Sequence, residues 1–441
     1  MKRAILSILL IFMFAVTAQA GADGTTSLKE SVVTSVKHHP KIKSILYNRE
    51  ASARDLSAAL GRFFPSLDVS ANYGFQQYDS STTRRLGTDQ RTRTASDTTV
   101  ALSLNLFDGM DRYYTYQGFK DRLQSAEYLL MDNVEAIALD AVRAHHDVVR
   151  ERKLLELAEN NVQDHRDLLD SISERVFAGA TSRADETQAM SRLARAETTH
   201  ITYQGNLNNA EAAYRRMTGT EPGALSKPEF HPDYIEGELR ELLDRTLENN
   251  PKIKVRKADL AASEKDQNVT ESDYYPNVDV VVSSRNTDRL DGATTHLQDN
   301  RAMLEMSWNL FSGGTDYNEA KAAESRVNEA QAELQDTIDE LSREVATAWS
   351  DYEIAVKQVA NYEKALDYSK ETRDMYLVQF NVGQRSLLDV LDSINEVFSN
   401  SVLLETARMN RSFSVYKLLT LEGELVQQLE VSDKAYEMAE K

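Results

Sequence analysis

Two periodicities divide this chain. Leu67, Val69, Ala71, Tyr73 and Phe75 alternate with Asp68, Ser70, Asn72, Gly74 and Gln76, a period of two that predicts a strand with one apolar and one polar face. A second alternating run sets Val100, Leu102, Leu104 and Leu106 against Ala101, Ser103 and Asn105, and Gly109 closes it. Elsewhere the period lies between three and four. Positions Val327, Ala330, Leu334, Leu341, Val345, Ala348, Tyr352, Ala355, Val359, Tyr362 and Leu366 keep that spacing, the seam of a coiled coil made slender by alanine. Segments 119–178, 315–382 and 384–422 contain neither Gly nor Pro, so each predicts a long helix. The first alone would reach roughly 90 Å at about 1.5 Å per residue, too long for a globular domain.

The long helical patterns meet at single glycines. Gly383 separates two of them, and Ser386 then stands where an N-cap starts a return helix, with Asp389 three residues on, a capping-box spacing in which Asp replaces Glu. Gly179, Ser182 and Asp185 repeat this arrangement at a constant offset of 204. Both sites read as tips of helical hairpins.

The duplication extends beyond the tips. Pro251-Lys252-Ile253-Lys254 repeats Pro40-Lys41-Ile42-Lys43 at offset 211, as Pro276, Asp279 and Val280 repeat Pro65, Asp68 and Val69. The segment 307–313 repeats 103–109 at offset 204, so the first strand hairpin carries a loop seven residues longer than the second. Such agreement across several elements marks an internal repeat. The first repeat spans 21–217: a short helix at 27–38, a helix from Pro40 to about 62, a β-hairpin at 66–107 with a loop at 78–97, and a helical hairpin with its tip near 179. A Pro-containing linker occupies 218–250. The second repeat spans 251–423, with a β-hairpin at 276–311 and a tip near 383, and a polar helix-like tail follows at 424–441.

Composition narrows the class. The 441 residues include only 17 Gly and 7 Pro, few for a loop-rich enzyme. Lys2-Arg3, an apolar run at 4–16 and Ala18-Gln19-Ala20 predict a signal peptide over 1–20, the run being too short to span a bilayer. The absence of cysteine excludes disulfides, thiolate metal sites and an N-terminal lipidated Cys. The formal charge of −19 becomes −21 once Lys2 and Arg3 leave with the signal, a poor balance for binding nucleic acid. His38-His39 and His145-His146 are adjacent pairs, which point in different directions on a helix and form no metal site. There is no phosphate loop, so no cofactor is expected and energy must come from a partner.

The strands decide the architecture. Their apolar faces oppose faces carrying Asp68, Ser70, Asn72, Asp279, Glu305, Ser307 and Asn309, the apolar-out, polar-in alternation of a membrane barrel with a wet lumen. Four strands cannot close such a barrel, since about eight is the smallest known, so the barrel must be shared with other copies. At the second tip, Asp389 and Asp392 lie three apart on one helix face. In a symmetric assembly they would form stacked carboxylate rings, although Asp389 also suits a helix start beside the positive end of the dipole.

The duplicated plan, the Asn-Leu-Phe-Asp/Ser-Gly strand ends at 105–109 and 309–313, and the Gly tips resemble the TolC outer-membrane factor family. The resemblance covers nearly all of the mature chain. It implies an α+β membrane protein: a homotrimer whose 12-stranded β-barrel contacts outer-membrane lipid and continues as a long α-helical barrel through the periplasm of a Gram-negative bacterium. It implies an equatorial belt built here from 27–38, 218–250 and the C-terminal segment. It also implies a periplasmic adaptor and an inner-membrane transporter as partners. The tip at 383–389 looks most like members serving type I protein secretion with an ABC transporter, the alternative being a drug-efflux channel.

By that resemblance Asp389 and Asp392 line the periplasmic constriction, Arg385 and Asp185 latch the tips shut, and the tips at Gly179, Ser182, Gly383 and Ser386 meet the adaptor. Phe380 departs from the Tyr that members often carry there. From another class, a periplasmic adaptor would carry one helical hairpin with β-rich domains and an inner-membrane anchor. A structural coiled-coil spacer would need no alternating strands.

Overall fold

The computed structural model describes residues 24–431, apart from 236 and 294. The signal-peptide reading at 1–20 and the tail beyond 431 therefore lie outside the described residues. Two short helices open the chain, α1 (Leu28–His38) and α2 (Pro40–Gly61). Ser27 closes a capping box with Glu30, and Pro40 takes the first turn of α2, where its missing N–H costs nothing. Strand β1 (Ser66–Gln77), a short helix α3 (Ser81–Arg85) and β2 (Thr92–Phe107) form the first β-hairpin. Helices α4 (Asp111–Phe177) and α5 (Arg183–Thr218) form the first helical hairpin.

The second half restates this plan with α6 (Leu239–Asn249), α7 (Pro251–Ser272), β3 (Asn277–Asp288), β4 (His296–Ser307), α8 (Thr315–Asn381) and α9 (Leu387–Glu422), then α10 (Leu425–Gln428). Corresponding helices have equal lengths of 11, 22, 67 and 36 residues. Helix α6, which falls inside the segment read as a linker, is thus the counterpart of α1. Its pattern was hidden by the preceding Pro-rich stretch.

Two boundaries differ from the sequence reading. Strand β2 begins at Thr92, inside the expected loop, because Thr92–Asp97 pairs with Asn72–Gln77 although its side chains show no apolar alternation. Helix α4 begins at Asp111, eight residues before the expected start, and runs through Gly118. A Cβ at Gly118 would lie 3.4 Å from Lys265 Cβ, so this glycine lets α7 pack closely on α4.

The four strands form one antiparallel sheet in the order β1-β2-β3-β4. The helices bury a chain of small clusters. At mid-length Val32, Val36, Ile137, Val142, Val415, Leu419, Leu425 and Val426 join α1, α4, α9 and α10, and near the tips Leu168, Ile172, Val390, Leu391 and Ile394 join α4 to α9. Of the expected seam on α8, Leu341, Val345, Ala348, Ala355, Val359 and Leu366 are buried. At about 1.5 Å per residue, each 67-residue helix runs about 100 Å.

Sheet and helices are joined by two tight turns, at Gly109-Met110 and Gly313-Gly314, all four residues with positive φ. Alanine at Gly109 or Gly313 would carry the steric cost of the left-handed region, about 1–2 kcal/mol. At Gly109 its Cβ would also lie 2.5 Å from the Ser272 carbonyl oxygen, whereas at Gly313 it would meet nothing within 4 Å. Gly109→Ala is therefore expected to melt below Gly313→Ala, and both below the parent, by circular dichroism in detergent. Equal melting of the two variants would contradict this close approach.

Candidate functional site

Both helical tips are built as the glycines require. Gly179 and Gly383 have φ of 72° and 77°. Each follows its helix with a paired bond pattern: Gly179 N–H to Val176 O and Ala180 N–H to Arg175 O, then Gly383 N–H to Phe380 O and Gln384 N–H to Gln379 O, all 2.8–3.0 Å. This is the Schellman closure, which satisfies the last carbonyls of a helix. Ser182 then accepts from Asp185 N–H and Ser386 from Asp389 N–H. The tips project apolar side chains, Phe177 being 96% and Val382 65% exposed.

The expected charges are all at the tips, where each has partners within the protomer. Asp185 does not meet Arg385. Its Oδ2 accepts from Thr181 Oγ1 at 2.6 Å and Ser182 Oγ at 2.9 Å, and these bonds hold its carboxyl below the usual range. Arg385 lies over the Tyr376 ring at 3.8 Å, with its Nε 3.7 Å from Asp389. Asp389 also accepts from Ser386 Oγ at 2.9 Å, so it does act as a helix-start residue. Asp392 is paired with Arg192 of α5 at 3.0 Å.

Arg192 and Arg175 are contributors that the sequence reading missed. Arg175 donates to Asn381 Oδ1 at 2.7 Å and lies over the Phe380 ring at 4.6 Å, a cation–π contact that needs no ring hydroxyl. Both arginines tie the first hairpin to the second. No local pattern announces contacts across about 200 residues.

On the sheet, Asp68, Ser70, Asn72, Asp279, Glu305 and Ser307 share one face, as the register Asp68↔Ala101, Ser70↔Thr99, Asn72↔Asp97 and Asp279↔Glu305 requires. Asn309 lies past the end of β4, in a turn where its side chain accepts from Phe311 N–H. Val281 and Met303 face each other on the same side, so this face is not wholly polar. Arg285 binds Asp97 through two nitrogens at 2.7 and 2.9 Å, and Arg301 binds Asp299. The opposite face exposes Leu67, Val69, Tyr73, Phe75, Leu102, Val282, Leu304 and Met306. Where sheet meets helices, Phe63, Phe64, Tyr274, Tyr275, Trp308 and Phe311 are also exposed, a belt of the kind found at a membrane interface.

Halfway along the helices lies a buried polar layer. His145 Nδ1 is 3.0 Å from Ser31 Oγ and its Nε2 2.9 Å from Ser226 O, while His146 Nε2 is 3.1 Å from Ser412 Oγ. The two rings thus serve different elements, and burial pushes His146 down to about 3. Among the described residues no group of three or more His, Cys, Asp or Glu is placed to hold a metal ion. Glu135 of α4 accepts from Val426 N–H at 3.1 Å, which pins α10. Burial raises its carboxyl to about 8.

A profile of the outer membrane efflux protein family matches residues 33–220 and 242–424. The chain belongs to this family. It is accordingly an outer-membrane channel protein of tripartite export systems and not an enzyme. Outer membrane efflux protein BepC of Brucella suis is 22% identical over 93% of this chain and 87% of its own length. Outer membrane protein TolC of Escherichia coli is 20% identical over 88% and 80%. Toxin and drug export protein A of Aggregatibacter actinomycetemcomitans is 20% identical over 83% and 82%. The fold recurs in the solved structures of CusC (TM-score 0.79, 14% identity, 90% of this chain and 91% of that one) and the Campylobacter jejuni CmeC outer membrane channel (0.79, 15%, 94% and 88%). The two matched segments of the profile straddle the linker, as the duplication requires.

Glu135 gives this channel protein a pH-dependent stability. Unfolded, the carboxyl ionises near 4.5; folded, it holds its proton to about 8. Between those values folding takes up a proton, so this group's contribution falls as pH rises. Glu135→Gln should remove that loss. The melting-temperature difference between variant and parent is expected to grow in favour of the variant from pH 5 to pH 8, and a constant difference would contradict the buried protonated state.

Proposed function

We propose that the chain is one third of an exit duct for type I protein secretion, working with an inner-membrane ABC transporter and a periplasmic adaptor. The observation that carries the duct is the sheet. It is apolar and exposed on one face, mainly polar on the other, with β1 and β4 unpaired at its edges. Edges cannot stay open in hydrocarbon, so β1 of one copy pairs with β4 of the next. Three copies make a 12-stranded barrel, and their six helical hairpins continue it through the periplasm. The polar face lines the lumen, and the belt at 27–38, 218–250 and the described part of the C-terminal segment, 424–431, girdles the helices.

The tip residues 383–389, which look most like those of members serving type I protein secretion, support secretion of protein substrates. The relative named a toxin and drug export protein is in keeping with that class. The relative named an efflux protein, at 22% identity, favours the second reading, small-molecule efflux with a different transporter. Placing a photoreactive phenylalanine analogue at Phe177, the most exposed tip side chain, and irradiating cells separates the two. An adaptor adduct co-purifying with an ATP-binding transporter supports secretion. A proton-driven transporter in its place supports efflux, and the absence of any adaptor adduct contradicts both.

At the resting gate, Asp185 Oδ1 is free of the capping bonds that occupy Oδ2. The Arg385 Nε is buried beside Asp389, but a third of its side chain stays exposed, so its terminal nitrogens can engage Asp185 across neighbouring copies. One partly exposed pair contributes about 0.2–1 kcal/mol, and three could bias the closed state by up to roughly 3 kcal/mol. Arg385→Ser and Asp185→Ala should each raise single-channel conductance, with little further gain in the double variant. Two single variants that conduct like the parent would remove this latch.

A further inference from the structure

At the end of the sheet farthest from the helices, the two hairpin loops are interlocked. Gln76 Nε2 donates to Asp291 Oδ1 at 3.0 Å, and Asp291 N–H donates back to Gln76 Oε1 at 2.8 Å. Because β2 separates β1 from β3, the β3–β4 loop must cross β2 to reach Gln76. It crosses on the face of Asp68, Ser70 and Asn72, to whose alternation Gln76 belongs. The crossing is close: a Cβ at Gly292 would lie 2.7 Å from Thr83 Cγ2 and 2.9 Å from the Tyr78 ring.

Beside this crossing, Arg91, Arg93 and Arg289 line one shallow depression with Thr83 and Gln76. Arg93 stands opposite Gln76 in the β1–β2 register and so shares its face. Most other arginines here are committed to carboxylates: Arg84 to Asp79, Arg285 to Asp97 and Arg301 to Asp299. Arg289 gives its Nε to Asp288 at 3.0 Å. Arg91 and Arg93 form no ion pair among the described residues, and Asp291, the acid at the crossing, is held by Gln76. Segments 78–97 and 285–301 together carry seven Arg against six Asp, a local positive excess in a chain of net charge −19.

We propose that Arg91, Arg93 and Arg289, on the rim of this depression, hold small multivalent anions of the phosphate type on its surface at the outer mouth of the duct, an inference that rests on the channel reading above. Guanidinium forks match phosphate oxygens in geometry and charge, and low-dielectric walls strengthen the field of unpaired charges in a narrow opening. The occupant is a soluble anion and not a lipid headgroup, because the cluster sits on the face opposite the apolar, lipid-facing one. In the assembled duct the site recurs once per copy around the mouth, opposite in sign to Asp389 and Asp392 at the other end.

Inorganic tripolyphosphate tests this on the full-length protein in planar bilayers of neutral phospholipid at low salt, where screening is weak. Added from each side in turn, it should block current from the outer-mouth side only. Arg91→Gln with Arg93→Gln should raise the half-blocking concentration by about tenfold. The same half-blocking concentration in both proteins, or equal block from either side, overturns the site while leaving the duct intact. Absence of current from both the parent and the gate variant Arg385→Ser overturns the duct reading and this site with it.

Discussion

A strand edge inside hydrocarbon leaves a row of N–H and C=O groups with nothing to bond, each costing several kcal/mol. This chain offers two such edges, β1 and β4, on a sheet whose apolar face is already exposed. The rest of the architecture follows from satisfying them. A single copy cannot curl four strands into a closed ring, so closure has to come from other copies. Tight turns at Gly109-Met110 and Gly313-Gly314 then pass that ring directly into the helices. Because paired helices have equal lengths, including 67 residues for both α4 and α8, both hairpins of a copy reach the same depth. In the proposed assembly, three copies present six near-equivalent hairpins.

Charge is arranged along this tube rather than gathered at a reaction centre. At the tips, Arg192 offsets Asp392 and Arg175 holds the end of the neighbouring helix, so the two hairpins of one copy are joined by their own side chains. In the proposed assembly, a gate made of such units would open between copies more readily than within them. Asp389 is partly engaged with Ser386 and Arg385, so a carboxylate ring there is weaker than its bare charge suggests. At mid-length, buried His145, His146 and Glu135 tie α1, α9, α10 and the linker to α4 by hydrogen bonds. A layer of this kind fixes the register of these elements.

Much of this was legible in the sequence because it depends on local patterns. The alternation at 67–75 and 100–106, the two glycine tips with their Ser caps, and the repeat offsets of 211 and 204 gave strands, hairpins and duplication. Other features escaped besides α6. Strand β2 extends to Thr92 because its register with β1 continues where its own side chains no longer alternate, and periodicity is silent there. Helix α4 runs through Gly118 because packing against α7 outweighs a poor helix former. Arg192 and Arg175 escaped because their partners lie about 200 residues away, where the match is made by tertiary geometry alone.

The pairing of sheet edges between copies can be tested directly, since the chain has no cysteine to interfere. Single cysteines introduced at successive positions along β1, each combined with one on β4, would be oxidised in isolated outer membranes and run on denaturing gels without reductant. The account predicts that some combinations give a covalent ladder ending at three chains, with each matching single-cysteine variant remaining a monomer. Cross-links confined within one chain for every combination, or a ladder continuing past three, would contradict it.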